Sequence, residues 1–188
     1  MTDDRDVPGD AHPTDKVVPF CRRRHAMGAL DLAQLLAGHA ELRMLCDRLE
    51  RCADALPTMP SYAENRAIRT RLSQSIDRDA HGRDPLLDAM FGREPQQPLT
   101  TALLAHIRAR HAVDAANAQD LIDALDPSPD EQDRFPPEML GYMLRGVFDG
   151  CRRSMDFTEL AILTLCDRRL NEQARGLLIA SLERNVPA

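Results

Sequence analysis

Arg152–Leu170 reads RRSMDFTELAILTLCDRRL, and the reading of its two small hydroxyls decides the fold. Upstream, Leu140, Met143, Leu144, Val147 and Cys151 recur at three- to four-residue spacing, and Ile162 and Leu165 continue the row. That spacing is one face of an α-helix. Ser154 and Thr158 stand in the row where apolar residues belong. A hydroxyl in a helix can bond the carbonyl one turn back, so both can be buried without an outside partner. The stretch therefore reads as the later half of one helix, about Glu138 to Leu170, with a polar break in its buried face.

The rest of the chain repeats the pattern. Leu32, Leu35, Leu36, His39, Leu42, Cys46, Leu49 and Cys52 make one face of a helix over about Leu30–Leu56, closed by Pro57 and Pro60. Ser61-Tyr62-Ala63-Glu64 is a capping-box pattern that opens a second helix with the apolar row Ile68, Leu72 and Ile76. Gly82 weakens that helix, and Asp84-Pro85 resembles a new N-cap, so a kink or restart is expected before Phe91. A third helix, about Leu99–Leu125, carries Leu104, Ile107, His111, Ala115, Ala118, Ile122 and Leu125 on one side. The polar, proline-rich DPSPDEQDRFPP follows as a loop. A short last helix, about Glu172–Arg184, has Leu177, Leu178 and Leu182 and is expected across one end. No segment alternates with period two. The expected fold is all-α: an antiparallel up-down four-helix bundle over residues 29–188, with a short extra C-terminal helix and a flexible N-terminal tail over residues 1–28.

Composition narrows the function. The chain has 188 residues, long enough for one domain with a real core. Its net charge of −6 argues against nucleic-acid binding, which needs a basic surface. The one basic cluster, CRRRH at Cys21–His25, is short and reads as a solvated segment, although neighbouring arginines would also lower the pKa of a thiol at Cys21. No apolar run is long enough for a bilayer, and the acidic N-terminus has no apolar core of a secretory signal. A cytoplasmic protein is the expectation. The five cysteines include no CxxC pair, which suits reduced thiols, with Cys46 and Cys151 on apolar stripes.

His39 and His111 lie inside the apolar stripes of the first and third helices. A lone histidine there is more often a hydrogen-bonded core residue than a ligand. Two of them near the middle of long helices fit a metal site as well, since facing bundle helices converge side chains on metals. Asp77 and His81 are one turn apart on the second helix and share a face. With Asp84 and Asp88 they also make a strip that could simply face water. Phosphate-binding glycine loops and Ser/His/Asp arrangements are absent, and no catalytic residue is assigned.

LLAGHAELRMLCDRLE (Leu35–Glu50), ARHAVDAANAQDLIDAL (Ala109–Leu125) and RRSMDFTELAILTLCDRRL together resemble the bacterial hemerythrin-like (HHE cation-binding) domains, over about residues 30–185. The resemblance implies a four-helix bundle whose family members hold a non-haem di-iron centre through single histidines and His-x-x-x-Glu pairs. In that register His39 and His111 occupy ligand positions, Asp77 and His81 stand for one pair, and Ser154 and Thr158 stand where the other His and Glu belong. Serine and threonine are poor neutral ligands for iron, so Ser154 and Thr158 read as vacated positions. The residual set His39, His111, His81 and Asp77 could hold one iron or zinc ion, not an intact di-iron centre. The resemblance implies a non-enzymatic regulatory or partner-binding module, as monomer or homodimer, with no membrane and no nucleic acid. The alternative is a metal-binding sensor of oxygen, nitric oxide or metal that uses those residual ligands. An enzyme would need a nucleophile or base, and only Cys21 offers one.

Overall fold

Helix α1 spans Ala29–Ala55, α2 Tyr62–Ala80, α3 Pro98–Ala124, α4 Pro137–Leu165 and α5 Glu172–Glu183. The computed structural model describes residues 29–80, 87, 91, 98–126, 135–165 and 170–184, apart from the side chains of 29–31 and 77–80. The described residues are mostly helical, and they include no β-strand. No described helix is long and apolar enough to cross a membrane. The expectations for residues 1–28 with Cys21, for the restart around Gly82–Pro85, for His81, and for most of the proline-rich loop fall outside the described residues.

Local chemistry explains the helix boundaries. Ser61 Oγ accepts the Glu64 amide at 3.2 Å, which is half of the expected capping box. The other half is not formed: the Glu64 carboxylate pairs instead with Arg48 on α1, 3.5 Å away. At α5, Asn171 is extended and its side chain accepts the Ala174 amide at 2.7 Å. This corrects the expected end of α4 at Leu170. Leu170 is non-helical and buried, because the residue leading into an N-cap approaches in an extended geometry.

The helices pair α1 with α4, α4 with α3, α3 with α2, and α2 with α1, while α5 lies against α1 and α4. α1 and α4 run antiparallel. Going down α1 and up α4, Leu56 meets Gly141, Asp54 faces Arg145, Asp47 and Glu50 hold Arg152, and His39 meets Glu159. The Arg152 guanidinium reaches both carboxylates at 2.7 Å and lies over the Phe148 ring, 5.2 Å from its centroid. This forked pairing raises the guanidinium's pKa and keeps Glu50 below its ordinary value, chiefly through the hydrogen bond with Arg152. Both carboxylates are solvent-exposed, so the clamp fixes register more than it adds stability.

The core is divided. One cluster holds Leu45, Cys46, Leu49 and Cys52 of α1, Ile68 and Leu72 of α2, Leu121 of α3, and Leu144, Val147 and Met155 of α4, among others. The second holds Leu32 and Leu35 of α1, Ile107 of α3, Ile162 of α4, and Leu178 of α5, with the helical residues Leu87 and Phe91 from between α2 and α3 and the non-helical Leu170 from between α4 and α5. Between the clusters each of α1, α3 and α4 turns polar toward its neighbours.

Candidate functional site

This polar layer contains most of the residues singled out by the sequence. On α4, Met155 and Ile162 bracket Glu159 at helical spacing, so the same face that buries them also buries Glu159, which is 0% exposed. Stripping water from a carboxylate costs several kcal/mol unless fixed partners replace it. Two partners come from α1, where His39 and Arg43 are one turn apart. His39 Nδ1 donates to Glu159 Oε1 at 2.6 Å, and Arg43 Nη2 donates to the same oxygen at 2.9 Å. Arg43 also reaches Asp156 and, on α5, the Ser181 hydroxyl, both at 3.3 Å. One guanidinium thereby ties three helices together.

Burial by itself pushes the Glu159 carboxyl up. The His39 hydrogen bond and charge, with Ser181 and Arg43 behind them, outweigh that and hold it below its ordinary 4.5. The second oxygen, Oε2, is buried and has no hydrogen-bond partner among the described residues. Glu159 was not singled out by the sequence. Its signal was present: a carboxylate between Met155 and Ile162 on the buried side of the helix, with an arginine one turn after a striped histidine.

Ser154 and Thr158 are buried, as expected from their place in the stripe. Thr158 donates to the Ser154 carbonyl at 2.8 Å, the local bond anticipated for both hydroxyls. Ser154 behaves differently. Its hydroxyl donates to Asp114 Oδ2 in a short bond and accepts from Arg110 Nε at 3.3 Å, both on α3. Asp114 gets this close because Gly150 lies opposite: a Cβ there would sit 2.5 Å from Asp114 Oδ1.

The metal-ligand expectations fare as follows. His39 is 13% exposed, and its Nδ1 is committed to Glu159. His111 is half-buried on α3, with no hydrogen bond or ion pair among the described residues. Asp77 is in α2, but its side chain and all of His81 lie outside the described residues. Among the described residues, no three His, Cys, Asp or Glu side chains are grouped to hold a metal ion. His106, off the stripe, is exposed and meets the Phe157 ring edge-on, 5.0 Å between centroids. Cys46 and Cys151 are buried as their stripes required, and so is Cys52.

The layer is suited to holding charge and bonds in place. The buried Ser154 hydroxyl donates to Asp114 and accepts from Arg110, so both its proton and a lone pair are engaged across the α3–α4 contact. The buried carboxylate is flanked by the His39 and Arg43 donors, and the Arg43 guanidinium offsets its charge inside the fold. Comparison with protein-family models, with curated proteins and with solved structures finds no match for this chain.

Proposed function

We propose that this chain is a hemerythrin-like four-helix bundle, formed by α1 to α4, that works as a non-enzymatic regulatory or partner-binding module. The cyclic pairing of α1, α4, α3 and α2 supports the bundle reading, with α5 as the extra C-terminal helix. The observation that carries the functional reading is the commitment of the polar layer to protein partners. His39 is bound to Glu159, Arg43 stands beside it as a fixed cation, and Ser154 and Thr158 are satisfied within the fold. A guanidinium 2.9 Å from Glu159, the one fully buried carboxylate among the described residues, opposes a second cation by charge repulsion. Neutral hydroxyls on α4 add no ligand strength for iron. The donor set of the described residues therefore does not fit a di-iron centre.

Metal analysis of protein purified from iron-fed cells, with an absorption spectrum for iron–oxo bands, tests this. Less than one iron per chain and no such bands are expected. A stoichiometric pair of irons would overturn the reading.

A second reading, a single-metal sensor of oxygen, nitric oxide or metal, is favoured by His111, a half-buried histidine on a long helix with no hydrogen bond or ion pair among the described residues. It requires bound iron or zinc that disappears in a His39→Ala/His111→Ala double variant. Metal content unchanged by that variant rejects these ligands. A protein partner, a cytoplasmic location and a monomeric or homodimeric state belong to the proposal.

A further inference from the structure

The start of α4 is apolar on two sides, and the fold covers one of them. Leu140, Leu144 and Val147 point inward and are buried. Met139 and Tyr142, one turn apart on the outer side, are 49% and 79% exposed. Phe135, just ahead of the helix and four residues before Met139, continues the row at 40% exposed. Single exposed apolar residues are ordinary, but three large ones in one row at helical spacing mark a contact surface. Tyrosine, phenylalanine and methionine are also the types enriched where proteins meet. The row ends at Gly146, four residues after Tyr142, where an added methyl group would meet nothing within 4 Å. The outer surface is therefore hollow at that point.

Charge selects the occupant. Glu138 and Arg145 flank the row on the same side, because residues seven apart return to the same place on a helix. Glu138 is exposed and makes no ion pair among the described residues. Arg145 is half-exposed, and its contact with Asp54 is a long 3.9 Å. One face thus carries an acid at one end, a base at the other, and an apolar row between them. Such a face is complementary to itself when turned end for end.

We infer that this face binds a second copy of the chain, with the two α4 starts antiparallel about a two-fold axis between Leu140 and Gly141. That axis sets Met139 against Tyr142 of the other copy, Phe135 against the hollow at Gly146, and Glu138 against Arg145, each contact made twice. A parallel pair would set Glu138 against Glu138 and Arg145 against Arg145, so like charges reject it. Large side chains bury about 150–250 Å² each, so at their exposures the three contribute roughly 350 Å² per copy. With Glu138, Arg145 and Gly146 the pair covers about 1,000 Å² in total, near the lower limit for a specific interface. Association is therefore reversible and depends on concentration. The inference rests on the partner-binding reading, and the two fail separately: solution mass tests the dimer, and metal content tests that reading.

Sedimentation velocity of the full chain, over concentrations from the low micromolar to several hundred micromolar, is the test. The mass should rise from one chain to two and stop there, because a two-fold contact closes on itself. Tyr142→Glu, at the most exposed position of the row, should leave the circular dichroism unchanged and hold the protein at one chain throughout. Glu138→Lys and Arg145→Glu should each weaken the dimer about tenfold by placing like charges opposite one another. The double variant Glu138→Lys/Arg145→Glu should restore association, since the exchanged charges again oppose. A single-chain mass at every concentration would overturn the self-pairing and leave the face to a different protein. Masses beyond two chains would overturn the two-fold arrangement. Dimerisation untouched by Tyr142→Glu, or a double variant as weak as the singles, would place the contact elsewhere and overturn the assignment.

Discussion

Replacing Arg43 by methionine is expected to destabilise the protein by about 2–3 kcal/mol. The figure follows from what the guanidinium touches. Glu159 is fully buried, and taking one partner from a buried ion pair costs about 3–5 kcal/mol when the remaining charge is left alone. Here it is not alone, because His39 still donates at 2.6 Å. Arg43 is itself 19% exposed, and its second carboxylate, Asp156, is 42% exposed, so that bond adds at most about 1 kcal/mol. The loss should then lie near the value of a hydrogen bond to a charged group, about 1.5–3 kcal/mol, plus the smaller Ser181 and Asp156 bonds. Methionine keeps the unbranched stem, so lost packing contributes little. Urea unfolding at neutral pH measures the difference, and a thermal melt should show a fall of roughly 4–12 °C. The decisive comparison is the same change in a Glu159→Gln background. With the carboxylate neutralised, Arg43→Met should cost less than about 1 kcal/mol, since no buried charge is stranded. An equal loss in both backgrounds would refute the role given to the Glu159 charge.

The remaining tests probe neighbouring features. The Glu159 carboxyl titrates below its ordinary 4.5 in the folded protein, so its stabilising contribution is present above that value and is lost as pH falls through the folded one. Wild type should therefore lose more stability than Glu159→Gln between about pH 6 and pH 3, and parallel acid limbs in urea midpoints would count against this. Gly150→Ala drives a methyl against Asp114 and should cost about 1–3 kcal/mol; an Asp114→Ala background should relieve most of it, and an unrelieved loss would place the strain elsewhere. Ser154→Ala should cost about 1 kcal/mol through the lost Asp114 bond, measured by the same unfolding assay, while a gain in stability would show that bond to be strained. The Cys52 thiol, pushed up by burial with Glu64 adding to the shift, should resist a disulfide reagent at mildly alkaline pH until the protein unfolds; rapid native-state reaction would contradict its burial.

Helix existence and most helix ends were legible in the sequence because they rest on local rules. The period of apolar residues, Ser61 as a cap, and Pro57 as a stop each act over a few residues. Expected and observed limits of α1, α3 and α5 agree to within a residue or so, because the apolar face and the caps mark the same positions. Leu170 was misread for the opposite reason. An apolar residue in register with a helix face gives no sign that the backbone has already extended toward the Asn171 cap.

Partners of the polar layer belong to a different kind of information. The sequence by itself determined that α4 would bury two hydroxyls, and that His39 would sit on a buried stripe. It contained Glu159 and Arg43 without showing that they meet, because they are 116 residues apart and their contact depends on how α1 lies against α4. Only the tertiary structure decided that Ser154 bonds Asp114 across to α3 rather than its own helix, since that choice needs the close approach that Gly150 permits. Periodicity tells which side of a helix leaves water. Which buried polar groups satisfy one another is set by helix packing, where a rotation of one residue exchanges the partners a side chain can reach.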